Sequence, residues 1–343
     1  MSGAAPSGLL VATHDLCWAH DPGAGHPERP DRLTAVRHGI QAAGLDEAIT
    51  WIEATDAAPE AVVGVHPAQL LDALDRLSAA GGGAIDADTM VSAASSKAAR
   101  KAAGAGLDLI ERLEAGEAAA GWSVVRPPGH HATANVPMGF CLLNNVAVAA
   151  RSLVDRGERV AIVDIDAHHG NGTQDIFYDE PDVLFISFHQ YPLYPGTGRP
   201  DEIGTERAAH RTVNIALPPY TRSWAYREGM AEVVAPIMAD FDPTWLLISL
   251  GFDAHRADPI TDLGLTAADF ADIVTDLCAF APPGRRLFFL EGGYDLEALA
   301  DSSGAVAAVL VGESHRPEAP SEGDGGAEAV DLAKRIHVDG RLS

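Results

Sequence analysis

Four groups of polar residues in this chain have the types and spacing of a hydrolytic metal site. The densest is VAIVDIDAHHGNGT, residues 160–173. Val160, Ala161, Ile162 and Val163 form an unbroken apolar run that predicts a buried strand. Asp164, Asp166 and His168 then alternate, and regular strand geometry would set all three on one face. Asp oxygen and His nitrogen both suit zinc, so Asp166 and His168 read as two ligands of one metal. Buried carboxylates need a partner or a metal, which argues against a merely solvated strand end. Asp253 lies just past a second apolar run, residues 245–250, in the equivalent place, and supplies a third ligand. Two Asp and one His leave a fourth position for water, the pattern of a catalytic zinc. The third group is the adjacent pair His130 and His131 after RPPG. In an irregular turn both rings can approach one substrate, which suits an acid/base couple as well as two surface histidines. The fourth is EGGYD, residues 291–295, whose glycines allow a tight turn that presents Tyr294. A phenol there is either a donor to a developing oxyanion or a tyrosine packed on the rim.

The elements that must position these groups alternate between two periodicities. Strands are predicted at 9–13, 122–126, 160–163, 183–188, 212–217, 245–250 and 286–290. Helices are predicted at 32–43 (with Asp31 as a fair N-cap), 67–79, 92–114, 142–154, 174–178, 223–239, 267–280 and 295–311, and the stretch 81–89 reads as a loop. Such alternation predicts one doubly wound α/β domain with a mostly parallel sheet. The strand-end motifs at 129–131, 164–171, 253 and 292–294 then converge on the carboxyl edge, where open α/β sheets bind ligands. We place the domain at residues 1–312. Residues 313–343 read as an acidic Gly/Pro/Glu-rich tail, mobile in part.

Length and composition narrow the function classes. The 343 residues are 47% hydrophobic and 21% charged, enough to build a large core. With 24 basic against 49 acidic residues, the formal net charge is −25, and no basic patch for nucleic acid or an anionic membrane is visible. The acid excess reads as solubility or a saline habitat, or as steering of cationic substrates. Cys17, Cys141 and Cys278 are odd in number and far apart, so no disulfide framework is implied. The sequence starts without a signal-peptide pattern and holds no run long enough to span a membrane, so a reducing cytoplasm is expected.

Taken together, RPPGHHA (126–132), MGFCLLNNVAVAA (138–150), DIDAHHGNGTQ (164–174), YPGTG (194–198), GFDAHRADP (251–259) and LEGGYD (290–295) resemble the zinc-dependent histone deacetylase and acetylpolyamine amidohydrolase family, over roughly residues 9–312. Asn171 and the GFDAH form are more similar to its class II-like, bacterial and archaeal branch. The resemblance implies the arginase/deacetylase α/β fold and one Zn2+ per chain on Asp166, His168 and Asp253. It implies His131 as general base and then acid, with His130 as its electrostatic partner held by Asp164. Asn171 stands behind His131 where some relatives place Asp. Tyr294 completes the oxyanion site. Phe140 and Tyr194 flank a narrow tunnel, near which Gly139 offers its carbonyl, and Arg32 lines an internal channel below the metal.

A structural K+ is implied at Asp164, Asp166, His168, Ser187 and Phe188, partly through backbone oxygens, with a weaker monovalent site near Phe177 and Val183. The implied activity is hydrolysis of the N-acyl amide of acetyl-lysine in a peptide or protein, or of an acetylated small amine, with release of acetate. No nucleic-acid or membrane partner is implied, and a homo-oligomer is left open. Polyamine-specific relatives often carry an acidic gatekeeper, in some directly after the Asp-Pro pair. Ile260 stands there and tilts the reading toward acetyl-lysine. A dinuclear ureohydrolase of the same fold would need further carboxylates where Gly170 and His255 stand. A non-catalytic acyl-peptide-binding relative would be marked by loss of Tyr294 or a His, and all three are present.

Overall fold

The computed structural model describes residues 7–341. In chain order the strands are β1 (Leu9–Thr13), β2 (Ile49–Glu53), β3 (Gly82–Ala84), β4 (Met90–Ser92), β5 (Ala120–Ser123), β6 (Val160–Asp164), β7 (Val183–Gln190), β8 (Thr212–Leu217), β9 (Trp245–Leu250) and β10 (Arg286–Leu290). Eight of them form one sheet in the order β2-β1-β5-β10-β9-β6-β7-β8, with every neighbouring pair parallel. β6, β7 and β9 are buried at every residue, so helices cover both faces. That double burial is why these strands read as continuous apolar runs rather than alternating ones.

The loops after β5 and β6 are consecutive in strand order, yet β10 and β9 stand between them in the sheet. Connections that diverge in this way open a crevice at the carboxyl edge. The His pair follows β5, Asp166 and His168 follow β6, Asp253 follows β9 and Tyr294 follows β10. Topology alone therefore brings the motifs to one edge.

The structure differs from the sequence reading at identifiable places. The stretch 81–89 is not all loop: β3 and β4 form an antiparallel hairpin. The helix expected over 223–239 runs to Phe241 and passes through a π-helical turn at Met230–Val234. Pro236 has no N–H to give the carbonyl of Glu232, and the hydrogen-bond ladder slips there. The helix at Asp31–Ala42 starts with Asp31 inside it, after Pro30, so Asp31 is not its cap. Beyond residue 312 the chain runs to another helix, Ala327–His337, which packs along β8 with Val330, Ala333 and His337 buried.

Two asparagines fix the chain between the His pair and the next helix, Asn145–Val154. Asn144 caps that helix through Ala147 N (3.0 Å) and donates to Ala132 O (3.1 Å), and Asn145 donates to Pro127 O (3.1 Å). His66 secures the same joint from outside. Its Nε2 accepts from Asn144 N at 2.8 Å, which leaves Nδ1–H to donate to Ala134 O at 3.1 Å. The ring must be neutral to do both, and burial holds its pKa below the ordinary histidine value. A depressed folded-state pKa means this contribution is present above the unfolded value, about 6.5, and is lost as pH falls below it. His66→Gln keeps a donor and an acceptor but does not titrate. Thermal unfolding of the two proteins between pH 7 and pH 5 should therefore show a smaller drop in Tm for the variant, and equal drops would contradict the assignment.

Candidate metal centre and active site

β6 ends at Asp164, so Asp166 and His168 are not on a regular strand as the alternation predicts. The carboxylates themselves end the strand. Asp164 Oδ1 accepts from Asp166 N (3.1 Å) and Asp166 Oδ1 accepts from His168 N (2.8 Å). Each side chain captures the N–H two residues ahead, an Asx-turn that competes with the sheet ladder and curls the chain over its edge. Asp166, His168 and Asp253 still meet. Their ligand atoms lie within 4.8 Å of one another and all three residues are buried. His168 Nδ1 stands 2.9 Å from Asp253 Oδ2 and 3.2 Å from Asp166 Oδ1. The remaining oxygens are held by backbone: Asp166 Oδ2 by Gly292 N (2.7 Å), Asp253 Oδ1 by Ala167 N (2.8 Å).

This donor set fits a divalent cation of intermediate softness. Burial, then the charge of Asp166, pushes the Asp253 carboxyl up to about 7. Burial opposes the charged form of His168, yet hydrogen bonds and charge from Asp166 and Asp253 raise it to about 10. A carboxylate whose proton affinity is forced up by burial and by a like charge beside it is relieved by a cation between the two.

The two histidines are driven apart in proton affinity. His130 Nδ1 lies 3.0 Å from Asp164 Oδ2. Burial opposes its charge, but Asp166, Asp164 and Glu291 outweigh that and raise it well above the ordinary value. His131 is lowered well below it by burial and by the charges of His130 and His168. Its Nδ1 is 2.8 Å from Asn171 Oδ1. Asn171 Nδ2 faces His131 O and Met138 Sδ (3.4 Å each), which orients the amide oxygen toward the ring. Nδ1 of His131 therefore carries the proton and Nε2 is left as acceptor. The ring centroids are 4.0 Å apart. One histidine is held charged and its neighbour neutral, an arrangement that separates acid from base.

A cavity of about 210 Å³ opens onto this group. Its walls include His131, Gly139, Phe140, His168, Tyr194, Ile260 and Tyr294, all singled out from the sequence. Tyr194 meets His131 edge-on at 5.2 Å, and Phe140 meets Tyr294 at 5.8 Å. Phe140 sits at φ 68°, a left-handed conformation that strains an aromatic residue by about 1–3 kcal/mol. Tyr294 is raised well above the ordinary phenol value by burial, so it stays a donor.

Arg32 lies beneath it, 5.0 Å from the ring centroid, with Nε on Gly293 O (2.7 Å) and Nη2 on Glu291 O. Ser187 and Phe188 lie on β7, where Ser187 pairs in register with Asp164, and the Ser187 hydroxyl is 2.9 Å from His189 Nδ1. Phe177, the last residue of the helix Asn171–Phe177, and Val183, the first of β7, are buried and do not line the cavity.

Sequence reasoning missed several participants. Asp88 and Leu193 also line the cavity. Asp88 comes from the loop of the β3–β4 hairpin, whose turn is set by Asp86 Oδ1 accepting from Asp88 N (3.0 Å) and Thr89 N (2.7 Å). Its acidic DAD triplet was the available signal. Glu291 Oε2 accepts from Gly129 N (2.7 Å) and His130 N (3.1 Å), tying the His loop to the Tyr294 loop. Below these, Glu28 binds both Arg126 and Arg32 with all three buried. Burial works against its charge, but Arg126 and His20 hold it well below the carboxylate range. Removing one member of such a buried cluster typically costs about 3–5 kcal/mol.

Gly292 turns its bare Cα toward the metal group. A Cβ there would overlap Asp253 Oδ2 and stand 2.7 Å from Asp166 Oδ2. Gly292→Ala is therefore expected to lose metal, read as metal per chain by elemental analysis, while far-ultraviolet dichroism stays unchanged. Full metal retention would contradict the placement of these carboxylates.

The comparisons with known proteins agree with this geometry. The family model for the histone deacetylase domain matches residues 26–310. A probable deacetylase of Archaeoglobus fulgidus is 39% identical over 88% of this chain and 86% of its own. A histone deacetylase-like amidohydrolase of Pseudomonas aeruginosa is 36% identical over 81% of this chain and 75% of its own. The crystal structure of the HDA15 HD domain superposes with a TM-score of 0.90 at 36% identity, covering 97% of this chain and 95% of that one. The parallel eight-stranded sheet is thus the arginase/deacetylase α/β fold, and the chain belongs to the histone deacetylase family of amide hydrolases.

Proposed function

We propose that this protein is a zinc-dependent deacetylase that cleaves the N-acyl amide of acetyl-lysine side chains, or of a related N-acetyl alkylamine, and releases acetate. The observation that carries the reading is His131, paired with Asn171, beside the Asp166–His168–Asp253 group, with Tyr294 across the same narrow cavity. Zinc held by those three residues would polarise an amide carbonyl and acidify water.

The chain's own residues do the rest. Phe140, Tyr194 and Leu193 confine an extended aliphatic stem, so that only the terminal amide reaches the polar floor. His131 Nε2 takes the proton of the attacking water. Tyr294 donates its hydroxyl to the carbonyl oxygen as negative charge develops there. His131, now protonated, or His130 then delivers a proton to the leaving nitrogen. Asp164 holds His130 charged while the water attacks, and the amide of Asn171 orients His131 without holding it as imidazolium. Arg32, fixed under Tyr294, would line the route by which acetate leaves.

A structural potassium ion would sit at Asp164, Asp166, His168, Ser187 and Phe188. Tyr226 stacks on Phe188 at 5.3 Å, and its buried hydroxyl has no hydrogen-bond partner among the described residues. The weaker monovalent site would lie near Phe177 and Val183.

Two residues bear on the substrate. Ile260 offers no charge to an ammonium group and favours acetyl-lysine. Asp88 places a carboxylate in the same cavity and favours a second reading, an acetylpolyamine. Hydrolysis of an acetyl-lysine peptide and of N8-acetylspermidine by the zinc-loaded protein, with and without a hydroxamate, decides between them. Hydroxamate-sensitive turnover of the peptide is expected to dominate. Preference for the polyamine would transfer the specificity to Asp88, and no turnover of either with zinc bound would support a non-catalytic binding protein. Tyr294→Phe should lower kcat by about 100- to 1000-fold with zinc content unchanged, the usual scale for one oxyanion donor. Unaltered turnover would remove Tyr294 from that role.

A further inference from the structure

The chain beyond Gly312 crosses the outside of the loop that follows β9, and one of its side chains is bonded into that loop. Glu318 Oε2 accepts from His255 Nε2 at 2.7 Å and from Ala267 N at 2.8 Å, while Oε1 accepts from Arg256 Nη2 at 2.6 Å. His255 Nδ1 accepts from Ala257 N at 3.1 Å, so the ring proton is on Nε2 and points at the carboxylate. The strap is anchored on either side of Glu318. Arg316 Nη1 donates to Ala268 O (2.7 Å), and Ser321 N donates to Asp269 Oδ1 (3.1 Å).

These contacts grip the loop 253–267 at both ends: His255 and Arg256 near its start, Ala267 at its finish. Between them lie the residues that face the site. Asp258 Oδ2 accepts from Tyr294 N at 2.8 Å, and its Oδ1 accepts from Ile260 N at 3.1 Å. Ile260 is a wall of the cavity. The Thr261 hydroxyl donates to Asp253 O. One loop thus carries a metal ligand, a tunnel wall and the backbone support of the phenol. His255 is 4% exposed, and Ala267 is the first residue of the helix Ala267–Cys278. Without Glu318, the His255 Nε2–H and the Ala267 N–H lose their acceptor in a buried place. Buried donors left unpaired cost about 1–3 kcal/mol each, and the loop can recover that only by opening to water.

We propose that Glu318 is a positioning residue for Tyr294, holding the 253–267 loop so that Asp258 sets the phenol against the amide. The inference rests on the reading of Tyr294 as the oxyanion donor. It gives the C-terminal segment a part in catalysis without contact with substrate.

The test uses the full-length, zinc-loaded protein with Glu318→Ala, Glu318→Gln, Tyr294→Phe and the Glu318→Ala/Tyr294→Phe double variant. Kinetics on an acetyl-lysine peptide are read beside zinc content and amide hydrogen exchange. Glu318→Ala is expected to lower kcat about ten-fold with less than about two-fold change in KM, and to cost less than about two-fold in the Tyr294→Phe background, because residues acting through one group are not additive. Exchange should rise over residues 254–266 and not across the central strands, with zinc per chain unchanged. Glu318→Gln, which keeps an acceptor oxygen, should recover most of kcat. Equal losses in both backgrounds, or unchanged kcat in Glu318→Ala, would overturn the positioning role. Full turnover by Tyr294→Phe alone would overturn the reading of the phenol, and the positioning role with it, on a separate observation.

Discussion

Two carboxylates out of reach of water, Asp166 and Asp253, face one imidazole nitrogen of His168. Their mutual repulsion is the constraint that the rest of the site answers to. A polypeptide does not bring such charges together unless its backbone forces the approach and something positive is available between them. The parallel sheet supplies the force, because β6 and β9 are neighbours and end at the same level. Asx-turns then curl the chain so that carboxylates point inward, and the bare Cα of Gly292 leaves room for both. The cost of this arrangement has a purpose only if a cation binds there.

The same electrostatics sort the two histidines. Proximity to carboxylates raises the proton affinity of His130, while burial, and then the charge of His130, lowers that of His131. Adjacent residues with the same side chain thereby acquire opposite shifts in proton affinity. Their partners reinforce the split: a carboxylate, Asp164, behind the charged ring and an amide, Asn171, behind the neutral one. Beneath them Glu28, Arg126 and Arg32 form a buried ionic platform, and Arg32 grips the backbone just before Tyr294 at Glu291 and Gly293.

Much of this was legible in the sequence for a physical reason. Apolar runs that end in Asp, His or Gly mark buried strands meeting a crevice, so Asp166, His168, Asp253, the His pair and Tyr294 could be found without coordinates. What could not be read depends on contacts between distant residues. Asp88 reaches the cavity only because two three-residue segments, Gly82–Ala84 and Met90–Ser92, pair as a hairpin. Glu28 meets Arg126 across nearly a hundred residues, and neither alone differs from a surface charge. Glu318 sits in a stretch whose composition resembles a tail, and only its bonds to His255 and Ala267 distinguish it. The alternation Asp164, Asp166, His168 suggested a strand face, whereas the carboxylates break the strand. Sequence pattern located these residues but misjudged the geometry that joins them.

The proposed chemistry stands on a single metal held by two carboxylates and one imidazole. X-ray absorption at the zinc edge of the purified protein tests it most directly. One zinc per chain is expected, with a shell of oxygen and nitrogen only, a single histidine, and no second metal at bridging distance. A second metal at bridging distance, or sulfur in the shell, would contradict it.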